Sequence, residues 1–314
     1  MRAVFMGTPD FSVGTLEEMI RAGHQVAGVF TQPDKPKGRG KSLQMTPVKE
    51  AALAHGIPVY QPVKIREPEN MEILKELAPE VIVVVAFGQI IPRAILELPK
   101  YGCINVHASL LPKYRGAAPI QWAVIDGEET SGVTIMQMDE GLDTGDMLLK
   151  GEIALDPQET GGSLFDRLSA LGARLLVEAL AQIEAGTIAR EKQPQESPTA
   201  YAAQITKAQG EIRWEDPAVK IERLIRGLNP WPSAYTRLGG KTLKLWKAQA
   251  LPQEESSGKE AAPGTVVARD RESITVQTGQ GLLKLLEVQL EGKKRMDTAS
   301  FLRGYSLEEG TRLG

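Results

Sequence analysis

Cysteine is nearly missing from this sequence, since Cys103 is the single one among 314 residues. An internal disulfide and a metal site built from several cysteines are therefore excluded. Histidine is also scarce, with three residues. His107, Asp143 and Asp146 are one conceivable set of metal ligands, but no further histidine accompanies them. Because protein metal sites usually use more histidines or cysteines than this set offers, we expect no bound metal.

Long apolar runs are absent as well. No stretch approaches the roughly 18 apolar residues that indicate a membrane span. The N-terminal stretch MRAVFMGTPDF lacks the cationic start and long apolar core of a signal peptide, so we expect a cytoplasmic protein. The chain is 42% hydrophobic and 25% charged, as an average soluble protein is, and its length favours two domains.

The charges are unevenly distributed along the chain, whose formal net charge is −3. Residues 1–206 contain 19 lysines and arginines against 26 acidic residues, a balance of −7, whereas residues 207–314 contain 18 against 14, a balance of +4. This asymmetry is typical of an acidic catalytic body with a cationic appendage, although an excess of four charges also suits ordinary solvated surface.

Apolar segments rich in valine and isoleucine alternate with amphipathic segments over residues 1–185. Strands are predicted at AVFMG, HQVAGVFT, PEVIVVVAFG, GCINVHA and SGVTIMQM, and helices are predicted to start at Ser12, Thr46 and Asn70. This alternation predicts a Rossmann-like α/β fold with a doubly wound, mostly parallel sheet, whose ligand sites lie at the carboxyl ends of the strands.

The C-terminal part differs in composition and in its pattern of predicted elements. Residues 190–206 are polar and contain prolines, which is typical of a linker. Residues 207–314 combine one predicted helix with several short strands separated by glycine-containing turns, which favours a small antiparallel β-barrel of the OB type. The predicted domains are therefore a catalytic domain at 1–189, a linker at 190–206 and the barrel at 207–314.

One strand combines two polar side chains of chemical interest. Asn105 and His107 share a face, because side chains on a strand alternate with a period of two. Ser109, Pro112 and Gly116 then interrupt the strand, so we expect both polar side chains at its carboxyl edge.

The segment MDEGLDTGD follows another apolar strand and contains four acidic residues. These could simply form Asp-Gly turns. A carboxylate that reaches His107 would orient it and favour its protonated form, and the Asn105 amide could donate to a developing oxyanion. Such a set suits attack on a carbonyl without a protein nucleophile, since no serine lies in a nucleophile-elbow motif and the Cys103 thiol is expected to be buried.

Two blocks, NVHASLLPKYRGAAPIQWAV and GVTIMQMDEGLDTGD, resemble the signature of the folate-dependent formyltransferases. This family transfers a formyl group from the co-substrate 10-formyltetrahydrofolate to an amine. The resemblance implies that Asn105, His107 and Asp143 are the catalytic residues. The folate-binding residues that it implies are Phe87, Gly88, Gln89, Ile90, Ser109, Leu110, Leu111, Pro112, Asp139 and Gly141.

Within this family the chain most resembles the members that formylate the methionyl group on initiator tRNA for translation initiation. The resemblance rests on TQPDKPKGRGKSLQMTPVK, LNPWPSAYT and APGTVV, and it covers essentially the whole chain. It implies that the loop after the second strand inserts into the acceptor stem of the tRNA, which by position implies Arg39.

Cationic side chains agree with a tRNA partner. Lys35, Lys37, Arg39 and Lys41 occupy every second position of a glycine-containing loop, which we expect to be flexible and to contact phosphates. Further predicted tRNA contacts are Lys244, Lys247, Lys293, Lys294 and Arg295. The alternatives are a mobile loop without a partner and ordinary solvated lysines. The role of Arg115 stays open between a substrate contact and a tie that holds its own loop, and we expect a monomer.

Two other functions remain open at this point. One is the same chemistry on a sugar-nucleotide amine or a small amine, or a folate hydrolase or dehydrogenase module. The other is a non-catalytic protein that binds tRNA or a nucleotide.

Overall fold

The structure, a computed structural model, describes residues 1–37, 42–252 and 261–314. It divides into two compact units. The first contains Met1–Pro119, Thr130–Ala154 and Phe165–Ala202, and the second contains Ile120–Glu129, Leu155–Leu164 and Ala203–Gly314. The division of the chain at 189 and 207 stays a prediction. None of the helices in the described ranges is long and apolar enough to cross a membrane.

The first unit is built on a seven-stranded sheet. Its strands, with the short pair β3 and β4, are β1 (Arg2–Gly7), β2 (Gln25–Phe30), β3 (Lys35–Lys37), β4 (Ser42–Gln44), β5 (Val59–Tyr60), β6 (Val81–Val85), β7 (Cys103–His107), β8 (Thr130–Gln137) and β9 (Met147–Ala154). The sheet order is β5-β2-β1-β6-β7-β8-β9. The first five strands in this order are parallel, and β8 and β9 are antiparallel to their neighbours. The prediction of a mostly parallel sheet is confirmed.

The central strand β6 explains why the sheet needs cover on both faces. Its five residues, VIVVV, are all buried, as expected for a parallel strand with packing on each side. Cys103 at the start of β7 is also buried, and burial raises the pKa of its thiol to about 12. This cysteine is therefore a core residue, as the sequence predicted.

The helices of residues 1–185 are α1 (Asp10–Arg21), α2 (Pro47–Ala54), α3 (Pro68–Leu77), α4 (Arg93–Leu96), α5 (Pro119–Asp126) and α6 (Gly161–Ala185). The first four belong to the first unit, whereas α5 and α6 contribute residues to both units. Thr46 caps α2 as predicted, since its side chain accepts the Lys49 N–H at 3.1 Å.

Two helices begin earlier than predicted, and the side chains of the residues predicted to start them bond to backbone carbonyls outside the helix. The Ser12 hydroxyl donates to the Val85 carbonyl at 2.6 Å, and α1 starts at Asp10. The Asn70 amide donates to the Lys64 carbonyl at 3.0 Å, and α3 starts at Pro68, whose fixed φ suits the first turn of a helix.

The second unit is built on an antiparallel sheet. Its strands and helices are α7 (Ala218–Gly227), β10 (Ala234–Leu238), β11 (Lys241–Leu251), β12 (Val266–Arg269), β13 (Ile274–Gln277), β14 (Leu282–Leu290), β15 (Met296–Asp297) and α8 (Thr298–Gly304). The order is β10-β11-β14-β13-β12, with β15 beside β14. This confirms the antiparallel C-terminal sheet. Among the described residues β10 does not pair with β12, so closure into a barrel stays a prediction.

Candidate active site

Asn105 lies in the middle of β7, where its backbone pairs with Val84 of β6 and Met136 of β8. The sequence had predicted a position at the end of the strand. The side-chain amide donates to the Val84 carbonyl at 3.1 Å. Its Oδ1 is buried and accepts no hydrogen bond from the described residues. A buried acceptor without a donor costs about 1–3 kcal/mol, and such an atom often marks a place where a ligand supplies the donor.

His107 is the last residue of β7 and is buried, with 7% of the residue exposed. Nε2 lies 3.0 Å from the Tyr114 carbonyl oxygen. Because that oxygen can only accept, Nε2 carries the proton of a neutral ring. The other nitrogen, Nδ1, lies 3.7 Å from Oδ1 of Asp143.

Asp143 lies in the connection between β8 and β9 and has a φ of +57°, a left-handed conformation that is uncommon for a residue with a side chain. Its Oδ2 accepts the Gly116 N–H at 2.9 Å, and its side chain is 23% exposed. The structure therefore brings Asp143 to the nitrogen of His107 that Tyr114 leaves open. Asn105 shares the strand face of His107.

Left-handed residues occur in each of the three loops around this group. Ala86 follows β6 with a φ of +47°, Tyr114 follows β7 with +55°, and Asp143 follows β8. Such conformations cost about 1–3 kcal/mol each and persist where the surroundings impose them, which is common at active sites.

The predicted folate-binding loop after β6 is firmly held. Phe87 is buried in the core of the first unit, and Gly88 has a φ of +83°. The Gln89 side chain accepts the Ile65 N–H at 2.6 Å and donates to the Pro62 carbonyl at 2.9 Å. Ile90 is 76% exposed, so it is the one side chain of the four that presents a large apolar surface.

The predicted folate-binding residues after β7 and β8 have different surroundings. Ser109 donates its hydroxyl to the Lys113 carbonyl at 2.6 Å, which closes a turn. Leu111 is buried against methionines, whereas Leu110 and Pro112 line a cavity of about 360 Å³. In the loop after β8, Asp139 Oδ1 accepts the Gly141 N–H and the Thr144 hydroxyl at 3.0 and 2.8 Å.

Known proteins match this chain over both units. Residues 1–180 match the family profile described as formyl transferase, and residues 204–306 match that of the formyl transferase C-terminal domain. The chain belongs to the formyl transferase family.

Two curated relatives extend over the full length of this formyl transferase. The methionyl-tRNA formyltransferase of Agathobacter rectalis is 62% identical over 99% of both chains. That of Lachnospira eligens is 58% identical over 100% of both chains.

Solved structures share the fold at lower identity. An N-formyltransferase from Helicobacter canadensis, in complex with folinic acid and dTDP-3-aminofucose, has a TM-score of 0.67 and 19% identity, covering 94% of this chain and 100% of its own. HypX from Aquifex aeolicus, in complex with tetrahydrofolic acid, has a TM-score of 0.63 and 18% identity. The formyl transferase matches it over 99% of the chain and spans about half of HypX, 50% of its length. At these identities the likeness shows the fold.

Arg115 ties the loop after β7 of the formyl transferase to a distant segment, which answers the question left open by the sequence. Its side chain is buried, and its three nitrogens donate to Gln193 Oε1 and to the carbonyls of Pro194 and Gln195 at 2.7–3.1 Å. The sequence assigned these partners to a linker. Polar residues without periodicity gave no signal that they contact the candidate active site.

Two lysines of the predicted flexible cationic loop lie on a strand. Lys35 and Lys37 belong to β3, which pairs with β4 in an antiparallel ladder. Arg39 and Lys41 lie outside the described residues. A cavity of about 380 Å³ at the base of this pair is lined by Thr8, Asp10, Gln32, Pro33, Lys35, Pro36, Gln44, Met45, Thr46, Pro47 and Glu50.

Of the five other predicted tRNA contacts, Lys244 and Lys247 lie on β11 of the second unit, and the other three lie in the connection between β14 and β15. Two of the five approach the ring of Trp246. The Arg295 guanidinium lies 4.6 Å and the Lys244 ammonium 5.6 Å from the centre of its ring. Arg295 also pairs with Glu287. Lys247, Lys293 and Lys294 are exposed. We call these five residues with Trp246 the cationic face.

Metal ligands are not grouped in the part of the chain that the structure describes. No cluster of three or more histidine, cysteine, aspartate or glutamate side chains there could hold a metal ion. His107, Asp143 and Asp146 do not form such a cluster.

Proposed function

We propose that this formyl transferase moves the formyl group of 10-formyltetrahydrofolate to the α-amino group of methionyl-initiator tRNA, which yields formylmethionyl-tRNA for translation initiation. The observation that carries this proposal is 50–62% identity, over essentially the full chain, to methionyl-tRNA formyltransferases of several bacteria. The pairing of His107 with Asp143 beside Asn105 gives the proposal a chemical basis.

Asn105 and His107 are the proposed donors to the oxyanion that forms when the amine attacks the formyl carbon. The Asn105 amide has a second N–H besides the one bound to the Val84 carbonyl. Since Nε2 of His107 is committed to Tyr114, Nδ1 is the nitrogen that can face the oxyanion, and it donates when the ring is protonated. Fixed donors of this kind typically contribute about 2.7–4 kcal/mol each to transition-state stabilisation.

Asp143 is proposed to support a protonated His107. Its Oδ1 lies 3.7 Å from Nδ1. At this distance the two groups form an ion pair once the ring is charged. The distance is also longer than a hydrogen bond, so Nδ1 can donate to the oxyanion. The attacking amine, whose pKa is near about 8 in isolation, reacts in its neutral form. As the new C–N bond forms and the C–N10 bond breaks, the proton that the amine loses goes to N10, and Asp143 is suited to assist that transfer.

The buried Oδ1 of Asn105 fits this chemistry. It lacks a donor in the described residues, and the attacking amine has N–H groups to offer. Accepting one of them would orient the nitrogen lone pair toward the formyl carbon, which is a gain in positioning. The co-substrate supplies the activated formyl carbon, and the loops of residues 86–92, 109–112 and 139–143 are proposed to hold its pterin.

The tRNA is proposed to contact the β3–β4 pair and the cationic face. Lysine and arginine contacts to phosphates position a nucleic acid without reading its sequence, so discrimination of the initiator is assigned to the segment that contains Arg39. A monomer in the cytoplasm is proposed to carry out the reaction.

The test is formyl transfer to charged initiator tRNA, charged elongator methionyl-tRNA and free methionine, with wild type and Arg39→Ala. We expect strong preference for the initiator, reduced in the variant. Transfer that is indifferent to the tRNA, or transfer to a sugar-nucleotide amine, would instead support the small-amine function. Tight tRNA binding without transfer in the presence of intact folate would support a binding protein.

A further inference from the structure

Gln193 forms hydrogen bonds to two of the three loops around His107, those after β7 and β8. Its Nε2 lies 2.8 Å from the Asp143 carbonyl oxygen and 2.8 Å from the Gly145 carbonyl oxygen. Its Oε1 accepts from Nε of Arg115 at 3.0 Å. One half-buried side chain therefore connects the β8–β9 connection to the loop after β7.

The chemistry of its partners fixes the orientation of this amide. Carbonyl oxygens only accept hydrogen bonds and a guanidinium only donates them, so Nε2 must face the two carbonyls and Oε1 must face Arg115. Both hydrogens of the amide are used in this way. The 3.5 Å approach of Nε2 to the Met136 sulfur is then a packing contact.

The 191–202 segment, which contains Gln193, is itself anchored on both sides. Glu191 exchanges two backbone hydrogen bonds with Met147 at 2.8 and 2.9 Å. The Thr199 hydroxyl accepts the Tyr114 N–H at 2.7 Å, and the Ala202 N–H donates to the Arg115 carbonyl at 2.8 Å. The backbone on both sides of Gln193 is therefore held in place by hydrogen bonds.

The backbone of Asp143 needs such support. Its φ of +57° is a conformation that surroundings must impose on a residue with a side chain. The Gln193 bond holds the carbonyl of that residue, and the Gly116 N–H holds its carboxylate at 2.9 Å. Backbone and side chain of Asp143 are thus fixed separately, and the direction of Oδ1 toward His107 follows from both.

We propose that Gln193 is a positioning residue for formyl transfer, which acts by holding Asp143 in its left-handed conformation beside His107. This inference rests on the proposed function. Without the two donated hydrogen bonds, Asp143 can relax toward an ordinary φ, which moves its carboxylate away from Nδ1. Displacements of about 1 Å at a catalytic group can lower a rate by about 100-fold.

The experiment compares Gln193→Leu and Gln193→Glu with a matched control, Gln277→Leu, in the full chain. Gln277 is buried, and its Nε2 also faces two backbone carbonyls, those of Thr278 and Gly281 at 2.9 and 3.4 Å. It lies in the second unit, so it reports the structural cost of losing such bonds. The glutamate variant keeps an acceptor for Arg115 and, when ionised, has no donor for the carbonyls of Asp143 and Gly145.

We expect kcat to fall about 10- to 100-fold in both Gln193 variants, while KM for both substrates stays within about twofold because binding is retained. Gln277→Leu should lower the melting temperature and leave kcat unchanged. If Gln193→Glu keeps the wild-type kcat, or if Gln277→Leu loses as much kcat as Gln193→Leu, the inference is wrong. Absence of formyl transfer by the wild type would instead count against the proposed function.

Discussion

Gly116 and Asp143 are joined by a 2.9 Å hydrogen bond from the backbone N–H of the glycine to the carboxylate of the aspartate. The φ of Gly116 is +127°, and a Cβ on it would lie 2.6 Å from the Ala202 carbonyl oxygen and 2.9 Å from Cζ of Tyr201. The position of the donor therefore depends on the absence of a side chain at residue 116.

The variant Gly116→Ala should lose activity and stability together. The methyl group must push the 191–202 segment or the loop after β7 away, and the N–H then leaves the Asp143 carboxylate. We expect kcat to fall about 10- to 100-fold and the free energy of unfolding to fall by about 1–3 kcal/mol, measured by steady-state kinetics and urea unfolding.

Gly239→Ala is the matched control. Its φ of +54° also disfavours a side chain, and an added Cβ would meet no atom within 4 Å. It should show the conformational cost alone, about 1–2 kcal/mol, with unchanged kcat. Equal activity loss in the two variants would mean that the contact between Gly116 and Asp143 has no special part in the reaction.

Asn105→Ala should separate activity from stability. The substitution removes one hydrogen bond to the Val84 carbonyl and also removes the buried Oδ1 that lacks a donor. Because these effects oppose each other, the free energy of unfolding should change by no more than about 1 kcal/mol. The rate constant kcat should fall about 100- to 1000-fold.

Thermal or urea unfolding beside single-turnover formyl transfer would measure both quantities. A large loss of stability with little loss of rate would show that Asn105 is a structural residue of β7. In that case Asn105 does not stabilise the oxyanion.

The sequence predicted the parts of the site that follow from local geometry. Asn105 and His107 share a strand face because their spacing of two residues imposes it. The resemblance implied Asp143, and the structure places it beside His107. Strand β6 could likewise be predicted from local sequence alone, because VIVVV is a continuous apolar run bounded by proline and glycine.

Contacts between distant, non-periodic segments could not be predicted in this way. Gln193 is 50 residues from Asp143 in the chain and 78 from Arg115, and nothing in a polar, proline-containing segment signals which glutamine faces inward. Ser12 failed as a helix start for the same reason, because its side chain bonds to Val85 of a distant strand. Asn70 failed for a local reason, because its side chain bonds to the Lys64 carbonyl in the turn before α3.

Lys293 and Lys294 together should contribute to tRNA affinity and not to the chemical step. Both are exposed on the cationic face. Replacing both by glutamine should raise KM for the tRNA and leave kcat unchanged at saturation. The slope of log K against log salt concentration should become less steep by about two, roughly one for each lost phosphate contact.

Lys75→Gln is a suitable control for the lysine pair, since Lys75 is exposed in the first unit and pairs with Glu72. Titrations of tRNA at several salt concentrations would measure the slopes. An unchanged slope in the double variant would exclude these lysines from the tRNA contact.

Cys103 provides a chemical probe of unfolding in the unmodified chain. Its thiol is buried, and its pKa is raised to about 12, so the reactive thiolate is scarce and inaccessible in the native state. Labelling by a maleimide at pH 8 should therefore be slow without denaturant and should rise with urea in parallel with the loss of helical circular dichroism. Because the chain has no other cysteine, each labelled molecule reports opening at β7. Fast labelling under native conditions would instead mean that β7 opens locally without global unfolding. Asn105 and His107 lie on this strand, so they would then not be held in fixed positions for the reaction.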